Sequence, residues 1–477
     1  MKRPNVLLLY TDQQRWDTLG AVNPHAKTPN LDALAARGVL FEEAYCNDPV
    51  CMPSRQSMLS GRYPSVVGTT TNGTEMPPDL STVYSVLQPH GYHAAQFGKL
   101  HFLNHSNRNH RDPHPRYGFD TIVISDEPGC YDDAYIAWVA ERAPGEVENC
   151  RCSTPPAWTG PPVEKHPRGT QSPYAFAGPE ELTHTAFVAD LTSEFIRTHA
   201  DETWFAIAGF YAPHAPVNPP QRFIDMFDPA EMPLPLMRDD QREKMGLSDD
   251  EWRNVRVCYH ALVSHIDDQC GRILAALDEA GLTDDTIVIH TSDHGDHLGD
   301  HGIVAKGPPG FDSCAHVPLI VSWPAGIAGG ERRTELVEAV DIAPTILDLC
   351  GVQIPRFCQG RSFRPLVEKE PRSEYEPRAS AFIEFKDPFR VSWKTVRTAK
   401  YKYCAGVGAG ASVWGGGGEE VTGRMKELLF DLENDPGELN DLSADAASAG
   451  ALGEMRAEMV RRWFDVENQF PLRTGAY

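Results

Sequence analysis

The chain predicts an α/β protein: a doubly wound sheet with helices on both faces, followed by a smaller α+β unit with an antiparallel sheet. Two observations carry this expectation. Over the first 350 residues, short apolar runs alternate with helical patterns. Beyond the charged, proline-containing stretch Glu368–Pro377, apolar runs follow one another with no helical pattern between them until the C-terminus. The expected division is a catalytic domain over 1–375 and a subdomain over 376–477, and 477 residues suffice for both.

Val6–Tyr10 is a buried-strand pattern. Thr28-Pro29 starts a helix with Leu31, Leu34 and Ala35 on one face, and Gly38 ends it. Pro53 has the φ of a first helical turn, Ser54–Leu59 continue it, and Gly61 suits the residue after its end. Leu103–Pro179 breaks the rhythm, being rich in Pro, His, Asn and Gly. It reads as cover over a site, with some helix near Tyr131–Arg142. Its His105, His110 and His114 read as solvated loop histidines, and Cys150 and Cys152 as loop cysteines.

Thr203–Phe210 is a second strand. Ser248 and Glu251 form a capping box before a long helix carrying Leu262, Ile266, Ile273 and Leu277. Thr286–Thr291 and Val317–Ser322 are further strands, and Asp341–Leu349 is a helix closed by Gly351. In the C-terminal unit, Ala379–Phe385, Phe389–Thr398 and Lys400–Cys404 read as strands. Gly406–Gly418 reads as a glycine-rich turn, Leu428–Leu442 as a closing segment, and Ala449–Val466 as a final helix.

Composition narrows the function. A formal net charge of −23 argues against nucleic-acid or anionic-membrane partners, so an anionic substrate needs local cations. The apolar run at Val6–Tyr10 is too short for a signal h-region, no segment reaches membrane-span length, and a cytoplasmic location is expected. The 11 cysteines are odd in number and scattered, which predicts reduced thiols.

Three strands run into metal- or anion-binding residue types: Asp12-Gln13 after the first, His214 after Thr203–Phe210, and Asp293-His294 after Thr286–Thr291. Ligands of open α/β sheets gather at strand C-terminal ends, so these residues are expected to converge. Asp12, Gln13, Asp293 and His294 offer mostly oxygen and one nitrogen. That set suits one hard divalent cation, Ca²⁺ first and Mn²⁺ or Mg²⁺ next. Cys51 stands where unpaired N–H groups at a helix start attract an anion, with Arg55 one turn on.

The string CMPSRQSMLSGR, Cys51–Arg62, resembles the signature C-x-P-S-R…(S/T)-G-R of the type I sulfatases, which directs oxidation of the cysteine to formylglycine. SDHGDHLGDHG (Ser292–Gly302) with Lys306 in AKG, GYHAAQFGKLH (Gly91–His101), PHAP (Pro213–Pro216), DIAPTILDLCG (Asp341–Gly351) and LFDLENDPGELNDL (Leu429–Leu442) are also similar to that family. The resemblance implies an alkaline-phosphatase-like mixed sheet and a sulfuric ester hydrolase. It also implies maturation by a formylglycine-generating enzyme and a small sulfate ester as substrate. A homo-oligomer is compatible with it.

Site roles follow from the same resemblance. Asp12, Gln13, Asp293, His294 and the modified Cys51 hold the metal. Arg55 steadies the hydrated aldehyde, one hydroxyl of which attacks sulfur while the other later expels sulfate. Lys99, Lys306 and Asn72 hold sulfate oxygens, His101 is the base, and His214 with Lys306 protonates the leaving oxygen. Many members have two aspartates where this chain has Asp12-Gln13, and Asn where it has His294. The Gln/His variant resembles phosphonate monoester hydrolases and some bacterial sulfatases, whereas Lys99 and His101 point back to sulfatases. A phosphonate or phosphodiester hydrolase, and a non-catalytic anion binder with an unmodified Cys51, are the alternatives.

Overall fold

The computed structural model describes residues 3–104, 110, 112–152, 172–370, 374–387, 391–407 and 425–467. His105 and most of the glycine-rich stretch at 406–418 lie outside them.

The main sheet has eight strands: β1 (Asn5–Asp12), β2 (Val39–Phe41), β4 (His93–Gly98), β5 (Thr121–Ile124), β6 (Trp204–Pro213), β7 (Thr286–Ser292), β8 (Leu319–Ser322) and β9 (Glu331–Arg333). Their order is β5-β4-β6-β1-β7-β8-β2-β9. The five strands from β5 to β7 are mutually parallel, and β8 runs antiparallel to both its neighbours. The short pair β3 (Ala44–Tyr45) and β10 (Val337–Glu338) forms a separate ribbon.

Every residue of β1 is buried, because helices cover both faces of the sheet. The period-2 alternation sends Leu7 and Leu9 to one core and Val6, Leu8 and Tyr10 to the other. The first core packs α1 (Pro29–Ala36), α3 (Ala134–Arg142), α4 (His184–Thr198) and α5 (Asp249–Glu279); the second packs α2 (Cys51–Ser60) and α6 (Ile342–Leu349). The capping box at Ser248 is present, with Glu251 N donating to Ser248 Oγ and Ser248 N to Glu251 Oε2. Thr28 precedes α1 without capping it; its hydroxyl instead donates to Asp32.

The C-terminal sheet runs β11 (Ala381–Asp387), β12 (Val391–Arg397), β13 (Tyr401–Val407) and β14 (Met425–Asp431), all antiparallel. It packs on the final helix α7 (Ala449–Glu467) through Phe382, Val396, Tyr403, Leu429, Met455 and Met459. Two readings need correction. Leu428–Leu442 does not merely close this unit, since its first residues belong to strand β14. The stretch Leu103–Pro179 contributes β5, an edge strand only four residues long whose signal is hidden by the prolines and histidines around it. Among the described residues, no helix is long and apolar enough to cross a membrane.

Candidate active site

Four parallel elements end at one edge of the main sheet and bring the site together. β1 delivers Asp12 and then Gln13; β7 delivers Asp293 and His294; β4 delivers Lys99; β6 delivers His214. The neighbours β4 and β6 approach closely at Gly98 and Gly209. A Cβ on Gly209 would lie 2.1 Å from Lys99 O, and Lys99 N donates to Gly209 O at 2.7 Å. Only glycine permits that approach, and it fixes where Lys99 emerges.

Cys51 is the first residue of α2, after an extended Val50, and is fully buried. Gly61 ends this helix at φ 68°, as the sequence predicts. Cys51 Sγ lies 2.6 Å from Lys306 Nζ, 3.2 Å from His294 Nε2, 3.8 Å from Asp12 Oδ1 and 4.0 Å from Asn72 Nδ2. Asn72 is set by its Oδ1, which accepts from Met52 N at 2.9 Å. Burial, then the charge of Asp12, pushes the Cys51 thiol up to about 11 despite Lys306 and Lys99. The unmodified residue is therefore a protonated thiol at neutral pH, and its place at a helix start does not activate it.

The ligand atoms of Asp12, Cys51, Asp293 and His294 all lie within 4.8 Å of one another. His294 Nδ1 bonds to Gly295 O at 2.8 Å, which leaves Nε2 facing the cluster. Asp12 carries its charge because Lys99, Lys306 and Arg55 outweigh the cost of its burial. Lys99 Nζ pairs with Asp12 Oδ2 at 2.7 Å and lies over the Tyr211 ring. Burial opposes the charge of Lys306, but Cys51 and Asp12 hold it above its ordinary value.

Gln13 joins the cluster through a device the sequence did not reveal. Its φ is 70°, and its backbone N–H donates to Asp293 Oδ1 at 2.9 Å. Its Nε2 donates to Asp296 Oδ2 at 2.6 Å, while its Oε1 is buried with no hydrogen-bond partner among the described residues. A buried amide oxygen without a donor costs free energy unless something electropositive faces it. Asp12, Gln13, Asp293 and His294 thus fit a hard cation on the orphaned oxygen as well as on donor type. Asp296 was legible only as one of three acidic residues inside Ser292–Gly302.

Other expected residues fall around this centre with adjusted surroundings. Arg55 donates from Nε to Asp293 Oδ2 at 2.7 Å and from Nη2 to Asp12 Oδ2 at 3.2 Å, so its guanidinium ties the two aspartates together. His101 is buried at φ 59° on the turn after β4. Its N–H and that of Leu100 both donate to Asp126 Oδ1, at 2.9 and 2.8 Å. His214 Nδ1 bonds to Ala215 O at 2.7 Å. Burial, with Lys306 and Lys99, pushes His214 well below its ordinary value, so it is neutral in the substrate-free site. His114 is half-buried against Asp126 at 3.6 Å, and His110 stacks on Tyr131; neither is simply solvated.

Residues 4–352 match the sulfatase family, and residues 299–411 match the family described as N-sulphoglucosamine sulphohydrolase, C-terminal. The chain belongs to the sulfatase family. That family sits in the alkaline-phosphatase-like superfamily, and membership makes the chain a sulfatase-type hydrolase. It is 29% identical to an arylsulfatase of Clostridium perfringens, covering 92% of this chain and 90% of that one. It is 27% identical to a choline-sulfatase of Rhizobium meliloti, covering 100% and 92%. It also resembles the crystal structure of a phosphonate monoester hydrolase of Agrobacterium radiobacter, with a TM-score of 0.80, 26% identity and coverage of 97% and 96%.

Proposed function

We propose that this sulfatase-family protein hydrolyses small sulfate monoesters, using a formylglycine made from Cys51 and one divalent cation, Ca²⁺ before Mn²⁺ or Mg²⁺. The observation that carries the reading is the cluster of Asp12, Asp293 and His294 around Cys51, with Lys306 at 2.6 Å from its sulfur. When bound, the cation supplies positive charge at the nucleophile and at the sulfuryl oxygens. Formylglycine supplies an oxygen nucleophile, which a hard cation accepts more readily than a thiol.

The chain's own residues do the rest. Arg55 holds Asp12 and Asp293 in place. Lys99, Lys306 and Asn72 bind sulfate oxygens and offset the repulsion of a chain with net charge −23. His101 takes a proton from the second hydroxyl. His214 delivers one to the leaving oxygen after the substrate's negative charge has raised its affinity for a proton, and Lys306 shares that task. We take 1–375 as the catalytic part and 376–477 as the subdomain packed beside it.

A second reading is a phosphonate monoester hydrolase. It is favoured by the likeness to the Agrobacterium radiobacter enzyme and by the Gln13/His294 pair. Relative kcat/KM on matched aryl sulfate and aryl phosphonate esters separates the two. A clear phosphonate preference would overturn the first reading. Chelation should abolish either activity, and Ca²⁺ or Mn²⁺ should restore it.

A further inference from the structure

Two cysteines outside the reaction centre stand against each other, and one of them, Cys152, is on the wall of a cavity that His214 also lines. Cys130 Sγ and Cys152 Sγ are 3.2 Å apart. The two segments that carry them are joined by their backbones, since Cys152 N donates to Gly129 O at 3.2 Å. Gly129, at φ 77°, makes the approach possible. A Cβ there would meet Cys150 O at 2.6 Å and Cys152 N at 2.8 Å. An ion pair between Arg151 and Asp132 adds a second tie across the same junction.

We infer that Cys130 and Cys152 form a reversible disulfide that fixes one wall of the cavity beside His214. A disulfide needs about 2.0 Å between sulfurs, so closing this pair takes roughly 1 Å of side-chain movement. Both residues are partly exposed, which a reagent needs. Cys150 is a poor competitor. It is buried, its sulfur faces Leu182 O at 3.8 Å, and burial raises its thiol.

The co-reactant is a small disulfide such as oxidised glutathione. The thiolate of one cysteine attacks it, forming a mixed disulfide and releasing one glutathione thiol. The thiolate of the other cysteine attacks the protein-side sulfur of that mixed disulfide and releases the second glutathione thiol. The two protein thiols give up two electrons and two protons, and the glutathione S–S bond accepts them.

The bond would act on the site through its position. Pro128, Cys150 and Cys152 line a cavity of about 50 Å³ together with His184, Tyr211 and His214. Glu127, next to Pro128, accepts from Tyr211 Oη at 3.1 Å, and its carbonyl accepts from Cys130 N at 3.2 Å. Linking Cys130 to Cys152 therefore pins the segment that positions Tyr211, the ring under Lys99.

The test equilibrates the full-length protein in oxidised and reduced glutathione and measures intact mass and non-reduced peptide maps. Oxidation should lower the mass by about 2 Da, reversibly with dithiothreitol, through a Cys130–Cys152 peptide pair. Cys130→Ser should instead trap glutathione on Cys152, a gain of about 305 Da, while Cys150→Ser behaves as the parent. KM for an aryl sulfate should differ about threefold or more between the two forms, kcat less, with no difference in the Cys130→Ser/Cys152→Ser double variant, which can form neither the bond nor the mixed disulfide. Pairing through Cys150, no pairing at any ratio, or equal KM values would overturn the inference. None of these outcomes touches the assignment of Cys51.

Discussion

Replacing Asp296 by Asn should weaken cation binding without replacing any proposed ligand. Asp296 accepts on both oxygens: Gln13 Nε2 on Oδ2 at 2.6 Å and Leu298 N on Oδ1 at 2.7 Å. Asparagine has one oxygen and one N–H₂ group, so it cannot accept both. Either Leu298 N loses its partner, or the Gln13 amide turns over and puts its N–H₂ group where the unpartnered Oε1 now lies. A hydrogen bond to a buried charged group is worth about 1.5–3 kcal/mol. At about 1.4 kcal/mol per tenfold, the loss is roughly 10- to 100-fold in affinity, the range found for groups that orient metal ligands. The assay is calorimetric titration of the chelated protein with Ca²⁺ and with Mn²⁺. Gln13→Ala should weaken binding similarly, and the double variant should be no worse than Gln13→Ala, because both act through one oxygen. A Kd within twofold of the parent, or fully additive losses, would refute the reasoning.

Cys51→Ser lacks the aldehyde and should stall after at most one turnover, with a single burst of product and no steady state; conversion of the parent Cys51 should register as a loss of about 18 Da in intact mass. His214→Ala should lose about 10²–10⁴ on alkyl sulfates and much less on nitrophenyl sulfate, whose leaving group needs no proton, and equal losses would assign His214 to orienting substrate and leave Lys306 as the acid. Stability should fall as pH drops. Burial, aided by Arg222 and Arg272, holds His265 down at about 3, and burial holds His184, His260 and His297 there too. A histidine depressed below its unfolded value of about 6.5 stabilises the fold above that pH, and the contribution is lost as pH falls from 6.5 toward 3. In urea unfolding between those limits, His265→Gln should flatten the slope by about one proton, roughly 1.4 kcal/mol per pH unit, and an unchanged slope would contradict the assignment.

The sequence by itself determined the fold class and three of the four strand ends that meet at the site, because strand and helix periods and the residue types after each strand are local signals; β4, which delivers Lys99, was not read as a strand. Asp12, Gln13, Cys51, Asp293 and His294 were legible this way, as was the helix that starts at Cys51. The short edge strand β5 was not, because four residues carry too little periodicity to stand out among prolines and histidines. Only the tertiary structure decided what each charged group does. Arg55 ties Asp12 to Asp293, Asp296 aims Gln13, burial makes His214 neutral, and Cys130 meets Cys152 rather than Cys150 pairing with it. The physical reason is that a group's charge state and partners depend on burial and on neighbours far away in sequence, 283 positions in the case of Gln13 and Asp296. No local pattern carries that information.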